Sequence, residues 1–192
     1  MPRHILVLLA FALLGSNAFA YNSSWLGVQG GLSIANSSSS PNPAGADQGP
    51  RTCGMAGLYY DYGLSDAVFF RFEVNYRQGG QRETISNVTT VIPYDVIEVP
   101  VLMILKFGSG GFSPFILTGP APTYAIKKYS GLQTFDFSFH LGGGVEYAFS
   151  KAVALSFSTR LIAGLFDVVG NSGFNKFQNA AFAFTFGVQF KI

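Results

Sequence analysis

The chain has 192 residues, of which 48% are hydrophobic and 16% aromatic, with 20 Phe and 23 Gly, only 11% charged and a net charge of +2. That mixture is too apolar and too glycine-rich for an ordinary soluble domain, and its scattered basic residues leave no footprint for nucleic acid. With the single cysteine Cys53 and 2 histidines, neither an internal disulfide nor a metal-ligand spacing can be written, and no cofactor is expected.

Taken from the start, Arg3 and His4 precede an apolar run from Ile5 to Leu14, followed by Gly15-Ser16-Asn17-Ala18-Phe19-Ala20. The small residues Ala18 and Ala20 after a short apolar run predict a secretory leader over residues 1–20, cleaved near Ala20. The run is too short for a membrane helix, which leaves a helical anchor as the weaker alternative. Beyond Ala20 no stretch approaches the roughly 18 continuous apolar residues a spanning helix needs. High hydrophobicity without helical spans is what a membrane sheet gives, because alternation dilutes its apolar residues.

Alternation is the rule from Tyr21 onward. In a first strand over Trp25 to Ala35, Leu26, Val28, Leu32 and Ile34 share one face while Gln29 and Ser33 take the other. Residues 36–50 form a polar, Pro- and Gly-rich loop. A second strand, about Thr52 to Tyr62, sends Leu58, Tyr60 and Tyr62 outward, and Gly63-Leu64-Ser65-Asp66 turns it back. In the third, Val68, Phe70, Phe72, Val74 and Tyr76 alternate with Phe69, Arg71, Glu73, Asn75 and Arg77, so charge falls on one side only. Residues 78–92 read as a second long polar connection.

A fourth strand, about Tyr94 to Phe107, sets Ile97, Val99, Val101, Met103 and Leu105 against Glu98, Pro100, Leu102, Ile104 and Lys106. The fifth, Phe112 to Lys127, carries Pro114, Pro120 and Pro122, which leaves its phase open because proline breaks a ladder. In the sixth, Phe135, Phe137, Phe139, Leu141, Val145 and Tyr147 oppose Asp136, Ser138, His140, Gly142, Gly144 and Glu146. The seventh places Val153, Leu155, Phe157, Thr159, Leu161 and Ala163 against Ser156, Ser158 and Arg160. After a loop over 166–178 the last strand runs from Ala181 to Ile192, with Phe182, Phe184, Phe186, Val188, Phe190 and Ile192 at every second position. Nothing follows to cover those phenylalanines, so their face is expected to meet lipid.

Breaks that alternate long and short, an even strand count and termini on one side predict an all-β fold: a closed antiparallel up-and-down transmembrane β-barrel of eight strands, forming one domain over 21–192. An eight-stranded barrel is filled by its own side chains rather than open. The predicted inner polar set is Arg71, Glu73, Arg77, Glu98, Lys106, His140, Glu146, Arg160 and Lys191, five basic residues against three acidic, with Glu98, Glu146 and Arg160 central. Buried charges must be paired or hydrated, so this set reads as a structural plug. The predicted lipid-facing set is Phe70, Phe72, Phe137, Phe139, Phe157, Phe182, Phe184, Phe186 and Phe190.

Gly187-Val188-Gln189-Phe190-Lys191-Ile192 resembles the C-terminal insertion signal of bacterial outer-membrane barrels, with Gly187, Phe190 and Ile192 at its fixed positions; this implies recognition by the barrel-assembly machinery. Gly57-Leu58-Tyr59-Tyr60 with Tyr62-Gly63-Leu64-Ser65, Glu73-Val74-Asn75-Tyr76 ending in Gly79-Gly80, Ile97-Glu98-Val99-Pro100 and Pro114-Phe115-Ile116-Leu117-Thr118-Gly119-Pro120 are similar to the PorT-type outer-membrane β-barrel domain. The likeness covers nearly all of the mature chain and implies an outer-membrane location, with lipid as neighbour. The length and polarity of loops 36–50, 78–92 and 166–178 suit them to a surface ligand.

Two other classes compete with a non-enzymatic barrel. A soluble lipocalin-like barrel would turn the aromatic faces inward around an apolar ligand, but a small barrel can hardly hold that aromatic volume. A lipid-modifying enzyme would need a nucleophile, a base and an acid; Ser138, His140 and Glu146 share a face, yet no nucleophile motif surrounds them.

Overall fold

Period-two alternation without a helical stripe leaves hydrogen bonding between strands as the way to satisfy the backbone, and in a membrane the sheet must close to lose its edges. The computed structural model describes residues 23–36, 38–40, 47–85, 88–108, 111–166 and 176–192. The leader and its cleavage site lie outside the described residues, as do parts of all three predicted long loops.

Thirteen strands are present among the described residues: β1 (Ser24–Ala35), β2 (Ser38–Ser40), β3 (Asp47–Gly49), β4 (Arg51–Gly63), β5 (Val68–Arg77), β6 (Gly80–Ile85), β7 (Val88–Glu98), β8 (Val101–Lys106), β9 (Phe112–Lys128), β10 (Phe135–Ala148), β11 (Val153–Gly164), β12 (Lys176–Gln178) and β13 (Ala180–Lys191). Eight staves make the wall, because β7 and β8 are one stave interrupted at Val99-Pro100. Every stave pairs antiparallel with its neighbour in the chain. The barrel closes where β1 meets β13, from Trp25 opposite Lys191 to Ala35 opposite Ala181.

One end of the barrel is built from short turns. Between β4 and β5 the Ser65 hydroxyl accepts from the Ala67 and Val68 amides (3.3 and 3.1 Å). Between β10 and β11 Ser150 does the same for Ala152 and Val153 (3.1 and 3.0 Å). A serine that holds its own turn needs few residues. The third short turn uses Gly108 at φ 93°, a conformation that favours glycine.

The prolines of β9 resolve that strand's phase. Pro114 and Pro120 are exposed and Pro122 half-buried, while Phe115, Leu117, Ala121, Thr123 and Ala125 are buried inward. A register shift between β7 and β9 at Asp95/Val96 absorbs an extra residue near the loop end.

The predicted loop over 78–92 is corrected by the structure. Gly80–Ile85 and Val88–Glu98 are strands, and β6 pairs with β7 from Gly80 opposite Pro93 to Ile85 opposite Val88. This continues the β5–β7 register of Asn75 opposite Glu98, so one long hairpin runs past the barrel rim, with β3 along the outer edge of β6.

Candidate functional site

Because each stave alternates, the barrel has an outer apolar skin and an inner polar column. Phe70, Phe72, Phe139, Phe157, Phe184, Phe186 and Phe190 are exposed on the outer wall, and Phe137 and Phe182 are half-buried there. The same strands put Arg71, Glu73, Arg77, Glu98, Lys106, His140, Glu146 and Arg160 inside, each at most 9% exposed.

Glu73 is the hub of the interior. Arg160 on β11 reaches across the lumen, its Nη1 donating to Glu73 Oε2 (2.8 Å) and its Nη2 to Oε1 (3.3 Å). Asn75 Nδ2 and Gln29 Nε2 also donate to Glu73 Oε2 (2.6 and 3.1 Å), and Gln29 closes the triangle onto Asn75 Oδ1 (2.8 Å). Three staves, β1, β5 and β11, are thereby tied at mid-height. Of the residues expected to be central, only Arg160 belongs here; Glu98 and Glu146 serve pairs nearer the two ends.

Towards the short turns, Arg71 forms a two-pronged pair with Asp61, Nε to Oδ1 at 2.6 Å and Nη2 to Oδ2 at 2.7 Å. Its guanidinium also lies 4.0 Å from the centre of the Tyr59 ring. Asp61 was missing from the sequence-derived set, although its odd position in the alternation of β4 carries the signal. With Asp61 included, each of the four buried cations among the described residues meets a carboxylate. Lys106 Nζ donates to both oxygens of Glu146 (2.9 and 2.7 Å) and sits 4.1 Å above the Phe69 ring. Phe69, Leu102, Ile104, Phe115 and Leu117, with Trp25 against them, fill the adjoining wall.

Tyr59 crosses the turn-end lumen, its hydroxyl 3.4 Å from Ser156 Oγ on β11. That path is open only because β1 and β13 carry glycine beneath it. A Cβ on Gly27 would overlap the ring, and one on Gly187 would sit 3.0 Å from the Tyr59 hydroxyl. Gly187 therefore has a packing role beside its place in the C-terminal pattern. Gly27→Val should evict the ring and cost about 1–3 kcal/mol by overpacking, read as a lower urea midpoint with the slope unchanged.

Towards the long loops, Arg77 Nε and Nη2 both donate to Glu98 Oε1 (3.1 and 2.6 Å). Glu98 Oε2, Arg77 Nη1, His140 Nδ1 and Asp136 Oδ2 have no hydrogen-bond partner among the described residues. This half of the interior needs hydration, as buried polar atoms generally do. Above it Ile92, Tyr94, Val96, Ala125 and Leu132 form an apolar cap. His140 Nε2 lies 3.4 Å from Ser138 Oγ, while Glu146 is six residues further along the strand, about 20 Å away, and is held by Lys106. The written Ser, His and acid set is not brought together.

Lys191 is corrected. It has the inward parity but is exposed at the last position of β13, where the wall ends and solvent replaces the lumen. Ile192 is exposed, and its amide donates to the Ser24 carbonyl (2.9 Å), tying the C-terminus to β1.

This closed, charge-filled cylinder with an apolar skin matches a family model described as outer membrane protein beta-barrel domain over residues 6–190. The chain belongs to that family. Solved structures agree in fold: Neisserial surface protein A (18% identity, 87% of this chain and 97% of that one, TM-score 0.55), and OprG from Pseudomonas aeruginosa (12%, 90% and 97%, TM-score 0.58). The N-terminal barrel of Pseudomonas aeruginosa OprF is similar too (16%, 89% and 98%, TM-score 0.52). No curated protein matches the chain. The protein is an outer-membrane β-barrel, with its exposed phenylalanines in the position of the lipid-facing belt.

Proposed function

We propose that the protein is a non-conducting, non-enzymatic barrel that holds its loop end at the cell surface, and that the four buried ion pairs serve to close and stiffen the wall. The observation that carries this is the interior itself: charges from five staves neutralise one another within hydrogen-bond distance, and apolar clusters lie towards each end. An ion path would need unpaired charges along its length, whereas each buried cation among the described residues has a carboxylate partner. Neisserial surface protein A is a surface protein by its name, which fits a surface role for this chain.

The finer parts of the reading belong to the same proposal. Residues 1–20 direct export and are removed near Ala20; Gly187, Phe190 and Ile192 present the last strand to the barrel-assembly machinery; residues 36–50 and 166–178 supply surface contacts. Within the family, the quoted turn and strand motifs favour the PorT-type branch.

The test begins with fractionated cells and a detergent gel of unheated beside boiled protein. An outer-membrane location with heat-dependent migration is expected. Purified protein in planar bilayers should give no sustained stepwise conductance, and stable open channels would overturn the filled-interior reading. Recovery of the protein as a soluble periplasmic species would overturn the membrane reading as a whole.

A further inference from the structure

The hairpin that overshoots the rim leaves a sheet edge open. β9 ends at Lys128, opposite Tyr94, so the Val88–Pro93 part of β7 is paired with β6 alone among the described residues. Residues 88–91 are all exposed, Val88 by 66% and Val91 by 45%. Such an edge is a template for another strand, and natural proteins usually blunt one with charge, proline or a bulge. Here Val88-Thr89-Thr90-Val91 has none of these, and the one proline of the open stretch, Pro93, stands at its barrel end. It is a short run of β-branched, uncharged residues of high strand propensity.

The direction of the free main-chain groups is fixed. The Tyr94 amide donates to the Gly79 carbonyl (3.2 Å), so in an antiparallel ladder the even-numbered residues of this segment turn their amides and carbonyls towards β6. Thr89 and Val91 therefore turn theirs to the open edge. Two copies related by a two-fold axis through Thr90 would set Thr89 of one against Val91 of the other, and the reverse. Both such pairs exchange both main-chain bonds. Side chains are compatible as well: Thr90 faces Thr90, Val88 lies opposite Ile92, whose side chain stays in the buried cap, and no like charges meet.

We propose that this edge is a self-pairing surface, and that its occupant is the same edge of a second copy of the chain. The strand leads away from the bilayer, so an antiparallel partner approaches from the opposite direction. Two barrels thus meet head to head, as they would in apposed membranes. This goes beyond the surface role proposed above, and its failure would leave the filled, non-conducting barrel untouched.

The test uses the full-length barrel with Cys53→Ala, so that introduced thiols react alone. In a non-hydrogen-bonded pair opposed Cα atoms lie about 4.5 Å apart, within disulfide range. Thr90→Cys should form a disulfide dimer on mild oxidation in detergent, whereas Thr84→Cys on β6 should not. Vesicles of phosphatidylcholine carrying the unmodified barrel should cluster, seen as rising light scattering. Thr89→Pro removes a free amide, losing on the β6 side only the exposed Thr89–Thr84 hydroxyl contact (3.0 Å), and should abolish clustering while heat-dependent gel migration persists. Equal crosslinking of both cysteine variants, or clustering that survives Thr89→Pro, overturns the proposal. So does a barrel that stays monomeric and unclustered, or a Thr90→Cys variant that crosslinks in whole outer membranes only to a different polypeptide.

Discussion

Glu73→Ala should destabilise the folded barrel by about 3–5 kcal/mol, the range found when one partner of a buried ion pair is removed. The effect is large because the loss is not one bond. Arg160 is at 1% exposure and has Glu73 as its carboxylate partner, so truncation leaves a guanidinium uncompensated in a low-dielectric interior. Asn75 and Gln29 lose an acceptor at the same moment, and unsatisfied buried groups add their own cost. Arg71 is protected by its pair with Asp61. Urea unfolding of the barrel in lipid vesicles measures the change. The decisive variant is Glu73→Leu combined with Arg160→Met, which removes both charges: it should recover much of the lost stability, since an apolar pair of similar volume can equal a buried ionic one. Wild-type stability in Glu73→Ala would dismiss the hub.

On the outer face the corresponding expectation is Phe184→Arg. Phe184 lies in the middle of β13, 39% exposed, opposite Leu32 on β1 and Thr159 on β11. An arginine on the lipid face near the midplane costs about 2–4 kcal/mol. Its neighbour provides the control. Thr185 is 3% exposed, and its hydroxyl pairs with Ser158 Oγ at 2.6 Å inside the lumen, so Thr185→Ser keeps the hydrogen bond and should change the urea midpoint little. The pair of measurements reads the orientation of the wall directly: if Phe184→Arg assembles and unfolds like the wild type, that face does not meet lipid.

The two faces of the wall were legible in the sequence because strand periodicity is a local property. Arg71, Glu73 and Arg77 at every second position of one strand must share a face, whatever that strand pairs with. The same rule carried Glu98, Lys106, His140, Glu146 and Arg160 inside. Where local periodicity was weak, the reading slipped. Residues 88–91 show no apolar and polar alternation because neither lipid nor core sorts their faces, and only their β-branched chemistry pointed to a strand.

Partnership was another matter. Glu73 and Arg160 are 87 residues apart, and their meeting depends on the closed wall and on how the staves are offset around it. Asp61, inward by parity, meets Arg71 because β4 lies beside β5 with the two residues opposite each other. Tyr59 could cross the lumen only because closure brought Gly27 and Gly187 under it. Lys191 kept its inward parity yet remained in solvent, because parity says which way a side chain points and not where the wall stops. The sequence by itself determined the strands of the wall, their two faces and the membrane as solvent, through the two-residue repeat. Strand register and closure decided which charges meet, because those contacts run between staves, and for Glu73 with Arg160 across the lumen, rather than along one strand.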